Sequence, residues 1–549
     1  MNNPFYLLNY PLERLRQHAV IAGLALFTLG CGNQHTTDIN QAGVIYCSEG
    51  SPLHFNPQLD TSGTTSDATS HQIYDRLLDY DVESGRIVPG LASSWLISED
   101  GLTYTFQLRK QVSFHSTDYF SPSRYFNADD VLFSINRWRL EDHPYHQVSD
   151  AQYPYFMSLG LPESIKSVEK INGYRVEITL YQPDSSFLAN LATDFAVMLS
   201  EEYANMLMQS GTPELLDSQP IGTGPFVFQE FRKDRFIRYK RHGEYWKGID
   251  SAEHLIFDIT PSSSLRLAKL MTGECDAIAL PAQSELEIIR QRPDMQLEEK
   301  PGLNIGFWAF NTLKPPFDNP AVRRALAMAI DKNTLLEAVY FGSASRAKTL
   351  VPAASWAYQV DAQDTAYNPV LARNLLDAHG VEPGFEMNLW AMPVERAYNP
   401  NATKMAELIQ QYLSEIDVQA NIVSYDWTSF RQRLAEGHHD SVLIGWSADN
   451  GDPDNFYRPL LTCAAIESGT NRAMWCSPEY DDIINQALKV TDIETRKAIY
   501  AQANQLLSEQ LPLVPIAHAL RYQAHRSELN GLVINPFGAT RFAGVRKMQ

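Results

Sequence analysis

Basic residues are in short supply: 45 Lys and Arg stand against 65 Asp and Glu, for a formal charge of −20 over 549 residues. The cations are scattered singly or in pairs. They form no basic face of the kind a phosphate backbone demands, so nucleic acid and anionic membrane are excluded as partners. The acidic surplus suits solubility and leaves cationic solutes open as ligands. Beyond the N-terminus no apolar run is long enough to cross a bilayer. Catalytic signatures are missing too. There is no Gly-x-Ser-x-Gly elbow, no His-Glu-x-x-His pair and no phosphate loop ending in Gly-Lys-Ser/Thr. No enzyme is therefore expected. His438 and His439 are neighbours in the chain, so they cannot share one helix face, and no cysteine lies at metal-finger spacing from them. They read as exposed loop histidines, and no metal site is expected. No repeat period or low-complexity segment interrupts the chain.

What is present begins at the N-terminus. Arg14, Arg16 and His18 precede an apolar run from Ala19 to Leu29, followed by Gly30 and Cys31. This is an export signal, removed from the mature chain as residues 1–30. Cys31 is a candidate for lipidation, while Thr28 and Gly30 equally suit ordinary cleavage just before it. The mature protein is expected in the periplasm, soluble or lipid-anchored through Cys31. Four further cysteines remain, Cys47, Cys275, Cys463 and Cys476. In an exported protein an even count points to disulfides, and arithmetic allows three pairings. The short separation of Cys463 and Cys476 favours a local loop, which leaves Cys47 with Cys275.

The length exceeds what one hydrophobic core supports, so two lobes are expected, with room for a third subdomain. Val44 to Cys47 reads as a buried strand, and Thr61 to Ser66 as a polar, hydrogen-bonding loop. Residues 95 to 115 alternate as a hairpin about Glu99-Asp100-Gly101. Asn127 caps a helix with Asp129 and Asp130 in its first turn, which complement the helix dipole. A second helix follows Asn319-Pro320, and another opens at Ser477-Pro478. The stretch 385–455 is the most informative. Met387, Leu389 and Ala391 alternate; Met405, Leu408, Ile409, Tyr412 and Ile416 repeat at a helical period; Val418, Ala420 and Ile422 alternate again. This is a β-α-β unit, and Val442 to Trp446 adds a buried strand. In such open α/β sheets ligands bind beyond the carboxyl ends of the strands. Arg396 and Asp449 stand just past two of those ends. A strand at Leu513 to Ala517 and short β segments around Leu532 to Ile534 complete the reading.

At Pro89-Gly-Leu-Ala-Ser-Ser-Trp95, Asn127-Ala-Asp-Asp-Val131, Ile221-Gly-Thr-Gly-Pro-Phe226, Phe310-Asn311, Pro320-Ala-Val-Arg-Arg-Ala-Leu326 and Gly451-Asp-Pro-Asp-Asn-Phe456 the chain resembles the family 5 extracytoplasmic solute-binding proteins of the dipeptide and oligopeptide type. Ser355-Trp-Ala-Tyr358, Tyr457-Arg-Pro-Leu-Leu-Thr-Cys-Ala-Ala-Ile466 and Asn535-Pro-Phe-Gly538 are most similar to its Sap-type members. The resemblance implies an α/β, bilobal periplasmic binding fold (type II, cluster C). Residues 42–301 would form most of lobe I, with an extra subdomain at about 74–223. Lobe II would span 302–519, and 520–549 would return to lobe I. It also implies the pairings Cys47-Cys275 and Cys463-Cys476. By the same resemblance Asp449 takes a peptide's α-ammonium and Arg396 its carboxylate, while Thr61, Ser62, Gly63, Thr64, Tyr398 and Trp427 line the cleft. The implied function is capture of dipeptides, short peptides or cationic antimicrobial peptides for an ABC permease, by a monomer without a cofactor. Haem is a further candidate ligand. A sequestering protein and a periplasmic hydrolase are the competing readings.

Overall fold

The structure is a computed structural model that describes residues 43–82 and 85–548. The export signal and Cys31 lie outside the described residues. Among the described residues no helix is long and apolar enough to cross a membrane.

Two hydrophobic cores organise the chain. One is built from Leu303 to Ala519 with Phe537; the other runs from Val44 to Ala279 and is completed by Leu529, Leu532, Phe542 and Val545. The first core sits in lobe II, the second in lobe I. One twelve-stranded sheet passes through both. Its lobe II half orders Val418–Val423, Phe385–Ala391, Ser441–Ser447 and Asn304–Phe310; its lobe I half orders Ala277–Ile278, Gly43–Ser48, His254–Ile259, Phe236–Arg241 and Phe226–Arg232. The halves are joined by a single strand, Leu513–Arg526. Its first residues pair antiparallel with Asn304–Phe310, and its last with Met295–Pro301 and Ala277–Ile278. At about 3.3 Å per residue such a strand reaches from one core into the other.

The crossing itself is fastened by side chains. Between Met295–Pro301 and Asn304–Phe310 the chain turns at Gly302, where a β-carbon would come 2.7 Å from the Ala519 carbonyl and 2.1 Å from Asn304 Nδ2. Only glycine fits this approach. Asn304, buried, donates Nδ2 to the Ala519 carbonyl and accepts the Ala519 N–H on Oδ1, both at 2.9 Å. Its amide thus replaces a ladder pair where the backbone ladder lapses.

The β-α-β reading holds. Phe385–Ala391 pairs parallel with Val418–Val423 and with Ser441–Ser447, and the helix between them is Ala402–Ser414. Buried Met405, Ala406, Ile409 and Leu413 form the face laid on the sheet. Lobe I carries a separate four-stranded antiparallel sheet, ordered Ala92–Ile97, Thr103–Leu108, Arg175–Leu180, Ile165–Asn172. The helix Ala128–Arg139 packs against it with a full capping box between Asn127 and Asp130, and Asp130 also receives Arg124 at 2.7 Å. Three readings need correction. Thr61 to Ser66 is no loop throughout: Gly63–Thr69 is helical, because the Ser62 hydroxyl caps it by accepting the Thr65 N–H. The last short strands are Leu529–Asn530 and Arg546–Lys547, and Leu532 to Ile534 are irregular, their apolar side chains Leu532 and Ile534 buried without a ladder. His439 is fully buried and shares a hydrogen, Nε2 to the Arg472 carbonyl, at 2.7 Å; only His438 is exposed.

Both disulfides are present, Cys47–Cys275 and Cys463–Cys476. The first ties the Gly43–Ser48 strand to the segment before Ala277–Ile278, 228 residues away. Replacing Cys47 and Cys275 by serine is expected to lower the unfolding free energy by about 3–5 kcal/mol, since the bond restricts the unfolded chain over a long loop. Urea titration of the variant against the oxidised protein measures the difference.

Candidate functional site

The Phe385–Ala391 and Ser441–Ser447 strands are parallel neighbours, so their carboxyl ends open on the same edge of the sheet. Asp449 and Arg396 both follow strands that end on that edge. Past Ser447 the chain is held by Asn455, whose Oδ1 accepts the Asp449 N–H at 2.9 Å and Trp446 Nε1–H at 3.1 Å. Asn450 then donates Nδ2 to Asn190 Oδ1 of lobe I at 3.0 Å. The Asp449 carboxylate is left with a covered oxygen, Oδ2, that has no hydrogen-bond partner. Burial, and then the like charge of Asp194 in lobe I, hold its carboxyl well above the ordinary range, against a smaller opposing effect of Asn455. No described cation pairs with it.

Arg396 opens a two-residue hairpin. Its N–H donates to the Asn399 carbonyl at 3.1 Å, and the Asn399 N–H returns to the Arg396 carbonyl at 3.0 Å. Its guanidinium lies 5.3 Å from the Trp427 ring centroid and donates to the Glu395 carbonyl at 3.0 Å. Among the described residues it too has no charged partner. Trp427 begins the helix Trp427–Ala435 and stacks on Phe430, with ring centroids 5.8 Å apart. The hairpin places Tyr398 flat on the sheet. A β-carbon at Gly445 would come 2.4 Å from Tyr398 Cδ2, and one at Gly306 would come 2.4 Å from the Tyr398 carbonyl. Two glycines in adjacent strands therefore make the seat for this tyrosine. Gly445→Ala is expected to cost about 1–3 kcal/mol by overpacking and to shift the midpoint of thermal unfolding downward.

The Thr61–Thr64 segment is organised by a residue that sequence reading passed over. Asp60, buried, accepts the Ser62 N–H at 3.1 Å and the Thr65 hydroxyl at 2.9 Å, and it also accepts the Ser62 hydroxyl. Asp60 further pairs with Arg431 of the Trp427–Ala435 helix at 3.5 Å. That contact joins lobe I to lobe II across 371 residues of chain. Ser62 and Thr65 hydroxyls are thus engaged with Asp60, and Gly63 has open space about it.

A second bridge lies beyond Asp449. Arg458, buried in the helix Asp454–Leu461, donates to Asp454 at 2.6 Å, to Asp184 at 3.2 Å, to the Ser186 hydroxyl at 2.9 Å and to the Leu159 carbonyl at 2.9 Å. Asp184, Ser186 and Leu159 belong to lobe I. The two lobes are thus joined by two ionic contacts, Arg458–Asp184 buried and Arg431–Asp60 with a partly exposed arginine. Neither Asp60–Arg431 nor Arg458–Asp184 leaves a local sequence period; each was invisible before the fold was known.

The sequence profile of the bacterial extracellular solute-binding proteins, family 5 middle region, matches residues 86–468. The chain belongs to this family. It is 45% identical to the dipeptide-binding protein of Escherichia coli over 502 residues, covering 91% of this chain and 94% of that one. It is 44% identical over 532 residues to the peptide transport periplasmic protein SapA of Salmonella typhimurium, covering 96% of this chain and 97% of that one. The crystal structure of the dipeptide-binding protein of Pseudoalteromonas sp. SM9913 in complex with Met-Leu superposes with a TM-score of 0.89 at 48% identity, covering 92% of this chain and all of that one. Family 5 membership accounts for the bilobal α/β architecture and for the sequence motifs spread along both lobes.

Proposed function

We propose that this protein is a peptide receptor of an ABC importer: it closes its lobes on a short peptide in the periplasm and presents it to permease subunits in the inner membrane. The observation that carries the reading is the pair of unmatched charges at neighbouring strand ends. Asp449 holds an unpartnered carboxylate oxygen, and Arg396 holds a guanidinium with no acidic partner among the described residues. A buried charge is costly unless paired. A peptide zwitterion supplies an ammonium for the one and a carboxylate for the other, and closure then removes both pairs from water. Tyr398, Trp427 and the Thr61–Thr64 segment supply walls. Arg431–Asp60 and Arg458–Asp184 are contacts made in the closed form. The dipeptide-binding relatives, one of them in complex with Met-Leu, support the same ligand class. The receptor performs no chemistry on what it carries, so a bound peptide is expected to be recovered intact.

Calorimetry with Met-Leu and its end-blocked derivatives tests the reading. N-acetyl-Met-Leu and Met-Leu-amide are each expected to bind at least about tenfold more weakly than Met-Leu, because each leaves one buried charge unmatched. Equal affinity of all three, or no binding of any, overturns it. Native mass spectrometry of the protein as purified would reveal haem or a longer peptide as the natural cargo.

A further inference from the structure

We propose that lobe II carries a second ligand site, separate from the paired strand ends, that takes a small carboxylate with an apolar body. The site stands whether or not the cleft takes peptides.

A cavity of about 160 Å³ lies between the Ile493–Gln510 helix, the start of the Leu513–Arg526 strand and the segments around Lys348 and Asp364. Leu350, Leu461, Leu507 and Leu513 give it apolar walls. An apolar cavity of about 150 Å³ is large enough to hold a benzene ring. Its place in the sheet separates it from the cleft. Leu513 is in register with Ala309, and Ala309 with Val442. The floor is therefore level with the amino end of Ser441–Ser447, whereas Asp449 follows the carboxyl end of that strand. The lining includes none of the residues assigned to the peptide.

The charges of the lining run against those of the whole molecule. Arg324, Lys332 and Lys348 stand there against Asp364 alone, in a chain whose formal charge is −20. Asp364 is already met twice, by Lys332 at 2.5 Å and by Arg346 at 2.6 Å. Arg324 and Lys348 are left over. Arg324 is held in place by the end of the long helix: its Nη2 donates to the Ser508 and Glu509 carbonyls at 2.8 and 3.1 Å, which leaves Nε and Nη1 without a partner among the described residues. Its neighbour Arg323, buried, donates Nε to the Gln510 and Leu511 carbonyls at 3.1 and 3.0 Å. The partial negative charge of that helix end is thus met by the arginine pair and does not cancel the rim. Lys348 is exposed and has no acidic partner among the described residues. Asn504, buried in the same lining, adds an Nδ2 donor with no hydrogen-bond partner. Apolar walls with a few convergent polar groups are the makings of a small-molecule site. A neutral hydrocarbon would leave the two cations unmet, and a bare inorganic anion would leave the leucines unmet; a carboxylate on a ring or short chain answers both.

The test is calorimetric titration of the full chain with benzoate and with its neutral isostere benzamide. Benzoate is expected to bind saturably and at least about tenfold more tightly, a gap that narrows as salt is raised. Lys348→Glu, at an exposed position that puts no folding at stake, is expected to bring the two affinities together while leaving that for benzamide unchanged. Arg324→Gln should narrow the gap, and Arg324→Lys, which keeps the charge, should retain it. Met-Leu at high concentration is expected to leave the benzoate titration as it was. No saturation by benzoate up to about 10 mM, or equal affinity for the two probes, overturns the proposal. So does a preference that survives Lys348→Glu and Arg324→Gln alike, and so does displacement of benzoate by Met-Leu, which would seat it in the cleft.

Discussion

Asp449→Asn is expected to weaken dipeptide binding by at least about a hundredfold and, in the same protein, to raise the melting midpoint at neutral pH. The first effect follows from removing one partner of a buried charge pair, which costs about 2–5 kcal/mol or more. The second follows from the carboxyl's surroundings. Burial and Asp194 raise its titration well above the ordinary range. For a carboxyl raised in the folded state, the stabilising contribution is complete below its unfolded pKa and is lost as pH climbs through the folded one. Between those two values the folded protein must keep on this carboxyl a proton that the unfolded chain has released, and asparagine removes that cost. The stability gain should therefore grow with pH and vanish in acid. Peptide binding favours the ionised form, so it should release a proton and weaken as the pH falls below the raised value. Thermal melts from pH 4 to 8, beside calorimetry, separate the two effects. A midpoint that falls together with affinity would mark Asp449 as a structural residue and remove it from the ligand's path.

The second large effect is expected at Arg458. This one cation sits between Asp454 and Asp184, both buried, and binds the Leu159 carbonyl as well. Even with it in place, burial pushes the Asp454 carboxyl up to about 6. Arg458→Met would leave two buried carboxylates without a cation, a loss of about 3–5 kcal/mol. Because Asp184 belongs to lobe I and Asp454 to lobe II, the loss falls on the joined arrangement of the lobes as well as on lobe II. Scattering should report a larger radius of gyration with saturating Met-Leu, and affinity should drop. Adding Asp184→Asn and Asp454→Asn to Arg458→Met should restore part of both. Should the triple variant be no better than the single one, charge imbalance is not the cause, and lost packing is.

The contrast between what could and could not be read in advance has physical reasons. The Ala402–Ser414 helix and its flanking strands declare themselves because each buries one face and local spacing records it. Asn127 and Ser477 are legible as caps because a cap needs only its own next three residues. The Ser62 cap was missed because glycine and threonines around it have poor helix propensity, yet Asp60 fixes the turn from outside the helix. The crossing strand was legible to Ala517 only. Beyond that, His518, Gln523 and His525 break the apolar pattern, and they are buried because partners from Asn304 and Ile278 satisfy them or a ladder carries their backbone.

One consequence of the Leu513–Arg526 strand concerns the order in which the molecule can be completed. The core of lobe II comes from one continuous stretch, Leu303 to Ala519, with Phe537 added from the tail. The Gly43–Ser48 strand has both its neighbours, His254–Ile259 and Ala277–Ile278, midway along the chain, but the next rung of the ladder and the closing apolar side chains Phe542 and Val545 are the last to be made. A chain emerging from its amino end thus leaves the lobe it began without its last cover until its tail is made. Such a protein stays threadable until its tail arrives, which is the property a polypeptide needs if it must pass a membrane before it folds.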